Sequence, residues 1–147
     1  MPLKPALIPT FLGILVLSYA ALGTQSEQTA LSDMVSNSDT IITGVCASSN
    51  SRWDSQTRMI LTDSVFLVDS YVKGQGNNTV SVTTPGGVLR DRNLMMTFPG
   101  MIEFAPGEQA LLFLTTSPEG IYHVYGRVSG INQIQQVQRM IQIGKLK

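Results

Sequence analysis

The side chains best equipped for chemistry here are the single cysteine, Cys46, and the single histidine, His123, of a 147-residue chain. A thiolate beside an imidazole base is a minimal nucleophilic pair, but the thiol must lie in an accessible, electropositive setting. Cys46 falls in "TGVCAS", where a small buried hydrophobe is the ordinary reading. His123 stands between Tyr122 and Val124 in an alternating run, which turns it outward. The two are therefore not expected to work together. A hydrolase using Cys46 or a serine with His123 is kept as an alternative, although G-x-S-x-G is absent. Glu103 and Glu108 offer a carboxylate pair, yet Pro106 and Gly107 read them as surface turn residues. One Cys and one His cannot form a four-ligand Cys/His zinc site, and no D-x-D-x-D-G run offers a calcium loop. No catalytic, cofactor-binding or metal-binding residue is assigned, and no cofactor is expected.

The glycine pair in "TTPGGV", Thr83 to Val88, raises the question of phosphate binding. A phosphate loop needs its glycines between a strand and a helix whose N-terminus faces the anion. The next residues, "VLRDRNLMMTFPG", offer no convincing cap, and no Lys-Ser/Thr succeeds the glycines. Pro85 restricts φ and Gly86 tolerates positive φ, so the stretch is a turn out of a strand. Asn77-Asn78-Thr79 matches an N-glycosylation sequon, meaningful only in a eukaryotic secretory route, and reads equally as an Asn-rich turn. Trp53, the only tryptophan, lies beside Arg52 and Asp54 in a polar segment; it is read as a lid over a barrel end or as a binding anchor.

These residues need a scaffold, and composition limits which. The chain balances ten basic against ten acidic residues, and 14% of positions are charged. Such a surface gives no electrostatic reason to bind nucleic acid or an anionic membrane. A lone cysteine forbids an intramolecular disulfide, so the core alone must hold the domain, which this length permits.

Residues 1–23, "MPLKPALIPTFLGILVLSYAALG", place Lys4 before an apolar run that ends in small residues. This is the pattern of a cleaved export signal, or of an uncleaved anchor, which would be the only membrane attachment. The expected location is secreted, periplasmic or cell-envelope. A linker, 24–29, leads to a domain spanning 30–128 and a tail spanning 129–147.

Within the domain, Leu31, Met34 and Val35 have helical spacing. Strands are expected over Thr40–Ser48, Arg58–Val72, Thr79–Pro85, Gln109–Ser117 and Gly120–Val128. "SSNSRWDSQTR" reads as a polar loop, and the residues after Pro85 lack a period until Gln109. In the tail, Ile131, Ile134, Val137 and Ile141 suit an amphipathic helix. The sum is a mainly β protein: a small OB-like antiparallel barrel of about five strands, with a short N-terminal helix and a C-terminal one.

The order "LSDMVSNSDTIITGVCAS", "VFLVDSYVKG", "VSVTTPGG", "FAPGEQALLFL", "GIYHVYG" resembles a family of small exported bacterial proteins of uncharacterised function, over about residues 31–126. More loosely it is similar to the netrin-like OB barrels of tissue metalloproteinase inhibitors. Those inhibitors use an N-terminal cysteine and disulfides that this chain lacks, so the resemblance implies fold and export alone. The expected function is a non-enzymatic module that binds a protein or glycan through the loops Ser48–Thr57 and Gly86–Gly107. An oligonucleotide-binding barrel is a further alternative, against which the neutral charge counts.

Overall fold

The computed structural model describes residues 30–144; the expected signal and linker lie outside the described residues. Helix α1 spans residues 30–37. The strands are β1 (Thr40–Asp54), β2 (Met59–Lys73), β3 (Thr79–Pro85), β4 (Gly87–Leu89), β5 (Leu94–Met96), β6 (Gln109–Thr116) and β7 (Tyr122–Ser129), and helix α2 covers Ile131–Gln142. Five strands close into a barrel in the order β1-β2-β3-β7-β6, so the expected OB-like barrel with two flanking helices is what forms. Four pairings are antiparallel, but the seam between β3 and β7 is parallel, correcting the expectation of a wholly antiparallel barrel. Parity requires this, because an odd number of strands in a closed ring cannot alternate direction throughout.

Two apolar clusters hold the fold. Inside the barrel, Ile42, Cys46, Phe66, Val80, Val82, Leu112 and Leu114 pack with Phe104. Outside it, Ile41, Leu111 and Phe113 are covered by Val35 of α1 and by Ile134 and Val137 of α2. Strand β6 thus sends alternate residues into two cores, which is why "ALLFL" is a continuous apolar run. The apolar spacing of α1 and α2 is explained the same way, since each helix buries one stripe against the barrel wall.

The last turn of α1 exposes carbonyls that need partners. Asn37 Nδ2 donates to Asp33 O at 2.8 Å and Ser38 Oγ to Met34 O at 2.5 Å. Lys73, at the end of β2, donates to Val35 O at 2.8 Å and to Ser38 O at 2.6 Å. Asp39 then ties the chain to β6, donating its N–H to Leu114 O at 2.9 Å and accepting from Thr116 N–H at 2.8 Å. The "SD" and "KG" motifs are one device that seats α1 where β1 begins.

Strand β1 carries register shifts at Ile41/Ile42, Thr43/Gly44 and Cys46/Ser48. These irregularities coil the strand so that one ribbon joins the barrel to β6 and then leaves it.

Candidate functional site

The departure of β1 from the barrel creates the site. β6 pairs with β1 only from Leu114 back to Gln109, opposite Val45. One further exchange succeeds it, Cys46 N–H to Glu108 O at 2.9 Å and Gly107 N–H to Cys46 O at 2.8 Å. Then a turn closed by Glu108 N–H to Ala105 O at 3.0 Å, with Ala105 N–H donating to Glu108 Oε2 at 3.1 Å, carries the chain away. Beyond Cys46, among the described residues, β1 pairs with β2 on one edge and with no strand on the other.

The expected loop Ser48–Thr57 is therefore mostly strand. Its polarity hid it: Ser49 pairs with Ser64 (3.0 Å) and Ser51 with Thr62 (2.8 Å), hydroxyl to hydroxyl, where an apolar alternation would have signalled a strand. On the same ribbon Arg52 Nε meets Asp63 Oδ2 at 2.6 Å, and Thr83 Oγ1 donates to Asp63 Oδ1 at 2.6 Å. Only residues 55–58 turn. There Asp54 Oδ2 accepts from Thr57 N–H at 2.9 Å and from its hydroxyl at 2.5 Å, and these donors hold the Asp54 carboxyl below the usual range.

The second expected loop, Gly86–Gly107, contains the hairpin β4–β5, pairing Gly87 with Met96, Val88 with Met95 and Leu89 with Leu94. Its tip is a 3-10 turn, Arg90–Arg92, ended by Asn93 in the left-handed region at φ 48°. "GGVL" and "LMM" about "RDRN" were the readable signal, but three residues per strand are too few to show a period. The glycine pair sets this hairpin: Gly86 and Gly87 take φ 95° and 136°. Gly86 N–H donates to Ile60 O at 2.7 Å, and a Cβ on Gly87 would strike the hydroxyls of Ser51 and Thr62. A strand succeeds the pair, so the turn reading stands and the glycines bring a backbone onto β1–β2, not onto an anion.

Between the open half of β1 and the hairpin runs a groove of about 460 Å³. Ser49, Asn50 and Ser51 form one side and Val88 to Asp91 the other, with Glu103 and Phe104 at the end. Its charged lining is Arg90 against Asp91 and Glu103. Trp53, two residues beyond Ser51 and directly opposite Ile60, is 37% exposed on the same ribbon. Val88 (46%), Leu94 (38%) and Met95 (68%) leave the hairpin with apolar surface.

Phe104 is fixed at the groove end. Its ring meets Phe66 edge-on at 4.9 Å, and the Arg127 guanidinium lies 5.5 Å above it. Arg127 Nη1 also donates to Glu103 O at 2.7 Å and to Glu108 Oε1 at 3.2 Å, and Ser129 Oγ donates to Glu108 Oε1 at 3.3 Å. Glu103 and Glu108 thus share an arginine. Glu108 works as a clasp for the 101–108 segment, and the guanidinium that organises it left no mark in the sequence beyond an outward position.

Cys46 is 1% exposed within the barrel core, where burial first and the Glu108 charge second push its thiol up, against a hydrogen bond to Ser48 O that lowers it. His123 is exposed and pairs with Thr115 and Thr83. Since Cys46 lies opposite Glu108, seven residues back along β6 from Thr115, the two sit on the order of 20 Å apart. They do not form a pair. Asn77 is exposed in the β2–β3 connection, its carbonyl accepting from Tyr71 Oη at 2.8 Å. No described helix is long and apolar enough to cross a membrane. No family model and no curated protein matches the chain.

Proposed function

We propose that the chain is an exported β-barrel module, without chemistry of its own, that binds a protein partner through the β4–β5 hairpin and the groove beside it. One observation carries the reading: a hairpin presents Val88, Leu94 and Met95 to solvent while its base is pinned to β1–β2 through Gly87. Exposed apolar side chains on a hairpin outside both core clusters suit a contact surface, in which Met and aromatic residues are favoured. Trp53, exposed on β1 two residues beyond the groove-lining Ser51, is a further apolar side chain on the neighbouring ribbon. A glycan is the alternative ligand, supported by the hydroxyl and amide lining of the groove. Nucleic acid is not proposed, because Arg90 and Arg92 of the hairpin tip are balanced by Asp91 and Glu103 and phosphate finds no net attraction. Export rests on the pattern of residues 1–23 and on the resemblance of the motif order.

The test compares the exported chain with the double variant Leu94→Ser, Met95→Ser, both positions being exposed and dispensable for the core. The two proteins should melt alike. Immobilised in parallel and offered envelope and medium proteins of the producing organism, the unaltered chain should retain a protein that the variant releases. Equal retention by both, retention by neither, or release by added oligosaccharide would overturn the protein-binding reading.

A further inference from the structure

Building on that binding reading, we propose how the partner is held: an extended peptide segment carrying a basic residue adds as a strand to the open edge of β1, from Ala47 to Asp54. The edge exists because the Ala105–Glu108 turn takes the chain out of line just after Cys46. Upstream of that point the lane beside β1 is filled by β6; downstream it is the groove. A strand laid antiparallel to β1 there would continue the line of β6 and extend an existing ladder, not start a new one.

Backbone groups on a strand edge are obligatory hydrogen-bonding groups, and alternate residues of the eight point theirs away from β2. Eight residues span about 26 Å, enough for a segment of comparable length. Proteins blunt such edges with lysine, proline or a bulge. Here the stretch "ASSNSRWD" contains no lysine or proline, its one cation Arg52 is engaged by Asp63, and its only irregularity, at Cys46/Ser48, lies where the lane begins. The small side chains Ser49 and Ser51 leave room beside the backbone.

Charge selects the occupant. Asp91 is already met by Arg92 at 3.8 Å, whereas the Glu103 carboxylate at the groove end has no cation on it among the described residues. Arg127, which approaches Glu103, takes its backbone carbonyl. A lysine or arginine on the incoming strand, placed toward the groove end, would meet the Glu103 carboxylate. This is strand addition, in which main-chain hydrogen bonds supply affinity and alternate side chains supply selectivity.

The experiment begins with a displayed library of linear nine-residue peptides selected on the exported chain. The enriched peptide is then synthesised unmodified and in two N-methylated series, one blocking odd and the other even backbone nitrogens. Binding is measured by calorimetry and by amide exchange. Strand addition expects one methylated series to lose binding while the other keeps it, and new protection on alternate amides of residues 47–54. Replacing the peptide's basic residue by Glu should weaken binding roughly tenfold. The protein variant Glu103→Gln should remove that preference while keeping the protection pattern.

No enrichment, equal effects of the two methylated series, or protection confined to the hairpin would overturn the proposal. So would amides 47–54 already protected in the free chain, whether by the segment before residue 30 or by a second copy seen as a dimer in sedimentation. A partner retained through Leu94 and Met95 without protection of β1 would defeat strand addition alone and leave the binding-module reading in place.

Discussion

Gly44→Ala tests the coiling of β1 that opens the site. A Cβ at this position would lie 2.4 Å from the Leu67 carbonyl oxygen and 3.2 Å from its carbon. Ordinary contact begins at 3.4 Å, so about 1 Å of separation must come from two backbones joined by a ladder. Gly44 does not adopt positive φ, so the cost is steric. Overpacking a close-packed site usually costs about 1–3 kcal/mol, and a backbone obstacle places this case near 3. The control is Gly126→Ala, whose Cβ would meet Met34 Sδ at 2.8 Å. A thioether swings aside, and the entropy removed from the unfolded chain offsets about 0.4–1 kcal/mol, leaving a change near zero. In equilibrium urea unfolding, with a slope of about 1–3 kcal/mol per molar, Gly44→Ala should lower the midpoint by roughly 1–3 M, and Gly126→Ala by a few tenths at most. A Gly44→Ala midpoint within about 0.3 M of the unaltered chain at an unchanged slope, or a larger loss for Gly126→Ala, would refute the packing argument.

Cys46 makes stability fall at alkaline pH. Its folded thiol is raised above its unfolded value, so its contribution is complete below about pH 8.5 and is lost as the unfolded thiol ionises above it; Cys46→Ala should flatten that slope in urea midpoints taken from pH 7 to 10. The native thiol should also resist a thiol-reactive disulfide reagent until the chain unfolds, whereas a prompt reaction would place it outside the core. Lys73→Met removes two charge-assisted hydrogen bonds to the end of α1 and should cost about 2–3 kcal/mol, with amide exchange in residues 30–37 accelerating before that in the barrel.

Much of the scaffold was legible because its residues obey local periods. Val80 and Val82 alternate inward on β3, Leu31, Met34 and Val35 recur at helical spacing, and "ALLFL" is apolar throughout since β6 serves two cores. The site was not legible, for three separate physical reasons. The outer half of β1 is stabilised by hydroxyl pairs across to β2, so its composition imitates a loop. The β4–β5 hairpin is too short for a period and depends on Gly87 fitting against Ser51 and Thr62, residues far away in sequence. Arg127 gathers Glu103, Phe104 and Glu108 from a different strand, a meeting that only the β6–β7 pairing brings about.

By itself the sequence determined the mainly β class, the two helices and the turn character of the glycines, all consequences of neighbours within a few positions. The groove, the open strand edge and the wide separation of Cys46 from His123 were decided by tertiary structure alone. They depend on where one strand stops pairing with another, and the Ala105–Glu108 turn that stops it lies more than fifty residues along the chain from the edge it exposes.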